Sequence, residues 1–349
     1  MTVERVEFAE LIITGVGPLV YGLVTLLGIL TNGLSLSYFL GSRQDSLGNK
    51  FLVLLNCVDM SICCVGLVKH TVHVLEEQLM EAIGDRPAIA VRRVLEVVLL
   101  ADIEVSCLVT TSLCALRTCG MVFPLYRMRK KVVYASFTVV AAYIVLRESI
   151  SAVLTFNTAV SVTLLNQEML HHVESEECPL NDTLLALIPQ YKTNLEEEYA
   201  FRPYSMQIEI GCMIVVVLIC TAVSTVKLNT ADKNLGQANI TDSNRRATVM
   251  VMILGGLFTT FNAIFTISSL VVYLSADWET CEGALVGYAN IILVVAVYYV
   301  IIPLNSALNP IVYITRIEQL KKHVLRRLSC SKAPTADQSS ARSQATDQV

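Results

Sequence analysis

Charge is scarce in this sequence. Only 16% of its 349 residues are Asp, Glu, Lys or Arg, 54% are hydrophobic, and the mean hydropathy is +0.58. A soluble domain carries nearer a quarter charged residues, so that class is excluded. Tryptophan is almost absent, with Trp278 the single copy. Histidine is sparse, and His171, His172 and His323 fall outside every apolar run, which excludes the membrane-depth His cluster of a zinc-dependent hydrolase. His70-x-x-His73 has i,i+3 spacing but no third ligand beside it, so no metal is expected there. No nucleophile–base pair or cofactor motif occurs, and neither an enzyme nor a nucleic-acid partner is expected. Sequence repeats are missing too, as is a soluble domain. A signal peptide is not expected either: Met1–Glu10 carries Glu4, Glu7 and Glu10 against Arg5, and the run that follows is long enough to remain as an anchor.

What is present is a series of seven apolar runs, at roughly 16–41, 51–75, 94–115, 132–157, 206–228, 248–274 and 285–314. Each is long enough to cross a bilayer, although Arg147-Glu148 interrupts the fourth. Lys and Arg settle the orientation. With the first tail outside, outer segments hold 6 basic residues and inner ones 17, while acids split 18 to 6. The expected topology is amino terminus out and carboxyl terminus in, at the plasma membrane. Of 11 cysteines, only Cys178 and Cys281 then lie in outer loops; the rest sit in runs or on the reducing side.

Polar residues recur inside the runs at one depth. Asn32 precedes Arg43 by eleven residues, Asp59 follows Lys50 by nine, and Ser106 precedes Arg117 by eleven. Asn305 and Asn309 precede Arg316 by eleven and seven. At 1.5 Å per residue these groups lie roughly 10–17 Å from the inner surface. A carboxylate there costs about 2.5–3.5 kcal/mol, so Asp59 needs partners at its own level. Such oxygen-rich, hard ligands suit water or Na⁺ rather than a soft metal. The simpler role, gluing helices together, remains open for any one of them. In the last run Pro310 removes a backbone donor and frees a carbonyl upstream for another partner.

Asn309-Pro310-x-x-Tyr313 at the inner end of a last membrane run resembles the rhodopsin-like G-protein-coupled receptors. Arg117 followed seven residues later by Pro124-Leu125-Tyr126 resembles the end of that family's third helix. The resemblance implies an all-α, seven-transmembrane bundle with a short amphipathic eighth helix. It divides the chain into an outer tail at 1–15, the receptor domain at 16–315, the amphipathic helix at 316–328 and a disordered inner tail at 329–349. It places a sodium pocket at Asp59, Ser106, Asn305, Ser306 and Asn309, at the depth of Asn32. Activation and coupling fall to Arg117, Pro124, Leu125, Tyr126, Pro310 and Tyr313. The implied function is transduction of an outer ligand signal to a heterotrimeric G protein, with arrestin as a further partner and Na⁺ as an allosteric ion rather than a cofactor. The rival is a polytopic transporter or channel, against which stands the lack of paired repeats and of broken helices in both halves.

The chain departs from the family at several points. Leu116 and Thr118 flank Arg117 where an acid and a tyrosine are usual, and Asn244–Thr248 at the start of the sixth run supplies no acid. The ionic latch between the third and sixth helices is therefore missing, and appreciable ligand-free signalling is expected. Asn262 stands in place of the sixth helix's tryptophan, and the fifth run has no proline. Arg92 stands where the family's outer disulfide cysteine belongs. Cys178 is then expected to pair with Cys281, with two free thiols as the alternative. Leu99 replaces the aspartate of amine receptors and Pro303 the lysine of retinal-binding opsins, so neither a simple amine nor retinal is the expected ligand. By resemblance the pocket draws on Leu99, Leu100, Ile103 and Tyr299. Asp102 and Glu104 are candidate partners for a cation, and packing against Arg147 is the structural alternative.

Asn181-Asp182-Thr183 is a glycosylation sequon in the second outer loop; Asn239-Ile240-Thr241 lies inside and should be silent. After the last run, Ile317, Leu320, Val324 and Leu328 recur at helical spacing among Lys321, Lys322, Arg326 and Arg327. That pattern reads as a basic amphipathic helix on membrane lipid, with Cys330 a palmitoylation candidate. The tail beyond is polar and carries Ser331, Thr335, Ser339, Ser340, Ser343 and Thr346 as phosphorylation candidates.

Overall fold

The computed structural model describes residues 17–41, 46–123, 130–154, 208–230, 242–275 and 281–329. Pro124, Leu125, Tyr126, Cys178, Asn181, Cys330 and both tails lie outside the described residues, as do the side chains of Cys281 and Tyr299. Every regular element among the described residues is an α-helix. The long ones are α1 (Gly17–Gly41), α2 (Leu47–Val74), α4 (Asp85–Val122), α5 (Lys130–Leu154), α6 (Ile208–Thr230), α7 (Asp242–Ser275) and α8 (Cys281–Arg316). Two are short: α3 (Glu76–Ile83) and α9 (Glu318–Ser329).

Six helices, α1, α2, α4, α5, α6 and α7, are long and apolar enough to cross a membrane. The end of α8 and α9 form a pair bent by 107° that raises the number to seven if the pair counts as one span. An apolar exterior goes with this. Leu19, Leu23 and Leu30 on α1 and Val139, Leu146 and Val153 on α5 are all exposed. A row of that kind is natural against lipid tails and unfavourable against water.

Several helices outrun the apolar runs that announce them. The third run spans 94–115, whereas α4 starts at Asp85 and ends at Val122. Its added turns carry charge, which hydropathy reads as loop but which helix propensity accepts. The short α3 fills part of the expected first outer loop and hands over to α4 at Gly84, whose φ of 85° is open chiefly to glycine. Arg147-Glu148 does not break α5, because both side chains find partners inside the bundle.

Packing centres on α4, which touches α2, α3, α5 and α7, while α8 closes against α1, α2 and α7. Leu55, Ile62, Val109, Val217, Leu254, Phe258 and Tyr313 fill the middle, each almost wholly buried. Gly28 sets the approach of α1: a Cβ there would strike Cys63 Sγ and lie 3.4 Å from Ala307 Cβ. A methyl group at this position would force Cys63 or the α1–α2 spacing to give, while it would merely touch Ala307 of α8. Helix α9 turns Leu320 and Val324 inward and holds to α1 through Tyr38 Oη donating to Gln319 Oε1 at 3.1 Å. Lys321, Lys322, Arg326 and Arg327 stay exposed.

Candidate functional site

The site begins with what a proline does to a helix. Pro310 lies inside α8 and has no N–H for the carbonyl four residues earlier, that of Ser306. Asn32 Nδ2 of α1 donates to that carbonyl at 3.1 Å and to Gly28 O of its own helix at 2.9 Å. The carbonyl freed by Pro310 thus becomes the joint between α1 and α8. Asn32 is fully buried, and so, in effect, is Ser306.

Asp59 lies beside this joint, wholly buried on α2. Ser106 of α4 donates to Oδ1 at 3.0 Å, and Asn309 Nδ2 of α8 donates to Oδ2 at 2.7 Å. Three helices therefore converge on one carboxylate. Asn305 and Ser306 precede Asn309 by four and three residues, so they stand one turn along the same face. Their outer oxygens, Asn305 Oδ1 and Ser306 Oγ, are buried without a hydrogen-bond partner, and so are Asn32 Oδ1, Ser35 Oγ, Asn56 Oδ1 and Tyr313 Oη. Buried polar atoms rarely stay unpaired, so Asn305 and Ser306, one turn from Asn309, leave polar capacity unused beside the Asp59 carboxylate. The donors are carboxylate, hydroxyl and amide oxygens, which fit a small hard cation such as Na⁺. Among the described residues no group of three His, Cys, Asp or Glu side chains is placed to hold a metal ion.

Toward the far end of α4 lies the half-buried Arg117. Leu116 packs against the apolar core, and Thr118 points between helices. Thr118 Oγ1 lies 2.9 Å from Cys114 O, 3.2 Å from Cys220 O of α6 and 3.1 Å from Ser224 Oγ of α6.

Of the ligand-pocket candidates, Tyr299 has its side chain outside the described residues, and the other five fall into an apolar group and two separate acids. Leu99 and Ile103 are buried in the apolar core, and Leu100 packs against it. Asp102 faces α2 and accepts a hydrogen bond from Ser61 at 2.6 Å. Glu104 faces α5, where Arg147 Nη2 bonds both of its oxygens. The two acids are two residues apart, about 200° around the helix, and cannot share one cation. Glu104 instead has the partner that the structural alternative assigned to it.

Two groups escape sequence reasoning. Glu209, in the first turn of α6, is the third carboxylate on Arg147, at 2.5 Å, alongside Glu104 and Glu148. Its place at the head of an apolar run marks it as an end group, with no signal of its partner. Ser224 is one hydroxyl among several on α6, and only helix rotation identifies it. Compared with known proteins, the chain matches no family model and no curated sequence.

Proposed function

We propose that this chain is a seven-helix receptor of the rhodopsin-like G-protein-coupled class, passing an outer ligand signal to an inner heterotrimeric G protein. The observation that carries the reading is the Asp59 centre. A carboxylate at membrane depth, bonded by Ser106 and Asn309 and set beside the Asn32–Ser306 joint, couples α1, α2, α4 and α8. That is a group whose equilibrium a ligand outside and a protein inside can both bias. On this reading α8 is the seventh span, and α9 is an eighth helix lying on anionic lipid with its four basic side chains outward. The amino terminus is outside, Asn181 is glycosylated, Cys330 is acylated, and the phosphorylated tail recruits arrestin.

The chain's own residues supply the steps. Ligand binding outside favours a state in which the inner end of α7 moves outward, and Arg117 becomes available to the G protein. Asp59, with the oxygens of Ser106, Asn305, Ser306 and Asn309, would hold Na⁺, which supplies the charge that neutralises the buried carboxylate. A broad ligand screen read by nucleotide exchange, with whole-cell current recorded in parallel, tests the reading. Exchange without current is expected. Current with no exchange would favour a channel.

A bridge between Cys178 and Cys281 completes the outer face on this reading. It closes a segment of about 100 residues, for which chain entropy gives roughly 4.7 kcal/mol less any strain. Peptide mapping of protein alkylated in intact cells before reduction should find neither cysteine modified. Both alkylated without reductant means two free thiols.

A further inference from the structure

The last turns of α4 are stitched to their neighbours by hydroxyl groups. Thr118 is buried, and so is Ser224 opposite it on α6, at 3% exposure. Thr118 can give its proton to a carbonyl of Cys114 or Cys220, while Ser224 gives its own to Thr118 Oγ1. One turn further on, Thr248 of α7, also buried, donates to Met121 Sδ of α4 at 3.6 Å. Thr118 and Met121 are three residues apart, so α6 and α7 are both tied to the same stretch of α4, directly after Arg117. Apolar packing reinforces the ties. Gly255 of α7 lets Val217 of α6 and Cys114 of α4 close in, with a Cβ there lying 2.9 Å and 3.2 Å from them. Valine at 118 and alanine at 224 would satisfy the packing equally well. The hydroxyls therefore add something packing does not require, a directional bond between α4 and α6.

We propose that the Thr118–Ser224 pair is an autoinhibitory latch, holding the Arg117 end of the bundle closed where Leu116 supplies no charge to do so. The proposal rests on the receptor reading and deepens it. A hydroxyl–hydroxyl bond between membrane helices is weaker than a buried ion pair, so the latch slows opening without abolishing it. Removing it should raise ligand-free nucleotide exchange per receptor about three- to tenfold, the span one interhelical hydrogen bond commands.

Thr118→Val keeps the branch and volume, Ser224→Ala removes only an oxygen, and Thr118→Ser keeps the hydroxyl. The first two should raise exchange per surface receptor, and the third should match the parent. The double variant should equal Thr118→Val alone, because that change already removes the Ser224 bond together with the Cys220 contact. A fold merely weakened would lower signalling instead. Cys220, whose carbonyl faces Thr118, gives a readout without a G protein: N-ethylmaleimide labelling of that cysteine, quantified by peptide mapping, should speed up in Thr118→Val and Ser224→Ala. Unchanged labelling in both variants overturns the latch. Faster labelling with unchanged exchange in a parent that does signal overturns its inhibitory role. Faster labelling with a parent that never exceeds mock membranes leaves the contact standing and removes the receptor reading, and the inhibitory role with it.

Discussion

Arg147→Ala should be the most damaging single substitution away from the Asp59 centre, costing about 3–5 kcal/mol and shifting the folded-to-unfolded ratio by more than roughly 100-fold. Glu104 and Glu148 have side chains only 1% and 2% exposed, and Arg147 is 11% exposed between them. Glu209 reaches the same guanidinium from α6 and is 29% exposed. Removing the guanidinium leaves two carboxylates in the interior and one at its edge without the cation that all three share. Burying a charge unpaired is far more costly than forgoing a pair. Glu104→Gln goes the other way: it removes one of three like charges and leaves Arg147 paired with Glu148 and Glu209, so its cost should be well below that of Arg147→Ala. Thermal melting of detergent-solubilised protein, read by size-exclusion recovery, should show Arg147→Ala collapsing well below the parent and Glu104→Gln close to it. Arg147→Ala melting with the parent would mean the cluster contributes nothing to the fold.

The second large effect concerns Asp59. Sodium should stabilise the ligand-free protein and lower agonist affinity, and both effects should vanish in Asp59→Ala. The carboxylate already receives Ser106 and Asn309, and nearby buried oxygens of Asn305, Ser306 and Asn32 have no partner. A cation held there neutralises the charge and favours whichever arrangement keeps α2, α4 and α8 together. Allosteric couplings of this kind amount to about 1–3 kcal/mol, or roughly 5- to 150-fold in affinity. Melting and ligand binding are to be compared in sodium and in a bulky organic cation. Asp59→Asn retains the shape and loses the charge, so it separates ion binding from packing. An equal sodium effect in parent and both variants would dismiss the ion.

Much of this centre was legible beforehand because helical rise is constant. Counting residues from a basic boundary places Asn32, Asp59, Ser106 and Asn309 at one level, where Ser106 and Asn309 hydrogen-bond Asp59 and Asn32 bonds the Ser306 carbonyl. Pro310 likewise announced a free carbonyl, since a proline always leaves one. Rotation about the helix axis is a different matter. Asp102 and Glu104 share a depth and a charge, yet one faces Ser61 and the other Arg147. No periodicity in α4 separates them, because that helix is buried on most sides and has little polar face to read. Glu209 and Ser224 were illegible for a related reason: their partners lie on helices distant in sequence. Helix ends are not legible from apolar runs where charged turns continue beyond them, as at Asp85–Arg93 of α4.

The receptor reading is tested most directly by ligand-free nucleotide exchange on heterotrimeric G proteins, in membranes carrying the chain and in mock membranes. Neither Leu116 nor the stretch from Asn244 to Thr248 offers a carboxylate for Arg117, and the hydroxyl latch is weaker than an ion pair. Exchange should therefore exceed the mock level for at least one G-protein class, fall to that level in Arg117→Ala, and drop in Leu116→Asp. Exchange equal to mock membranes for every class, with parent and Arg117→Ala alike, would contradict it.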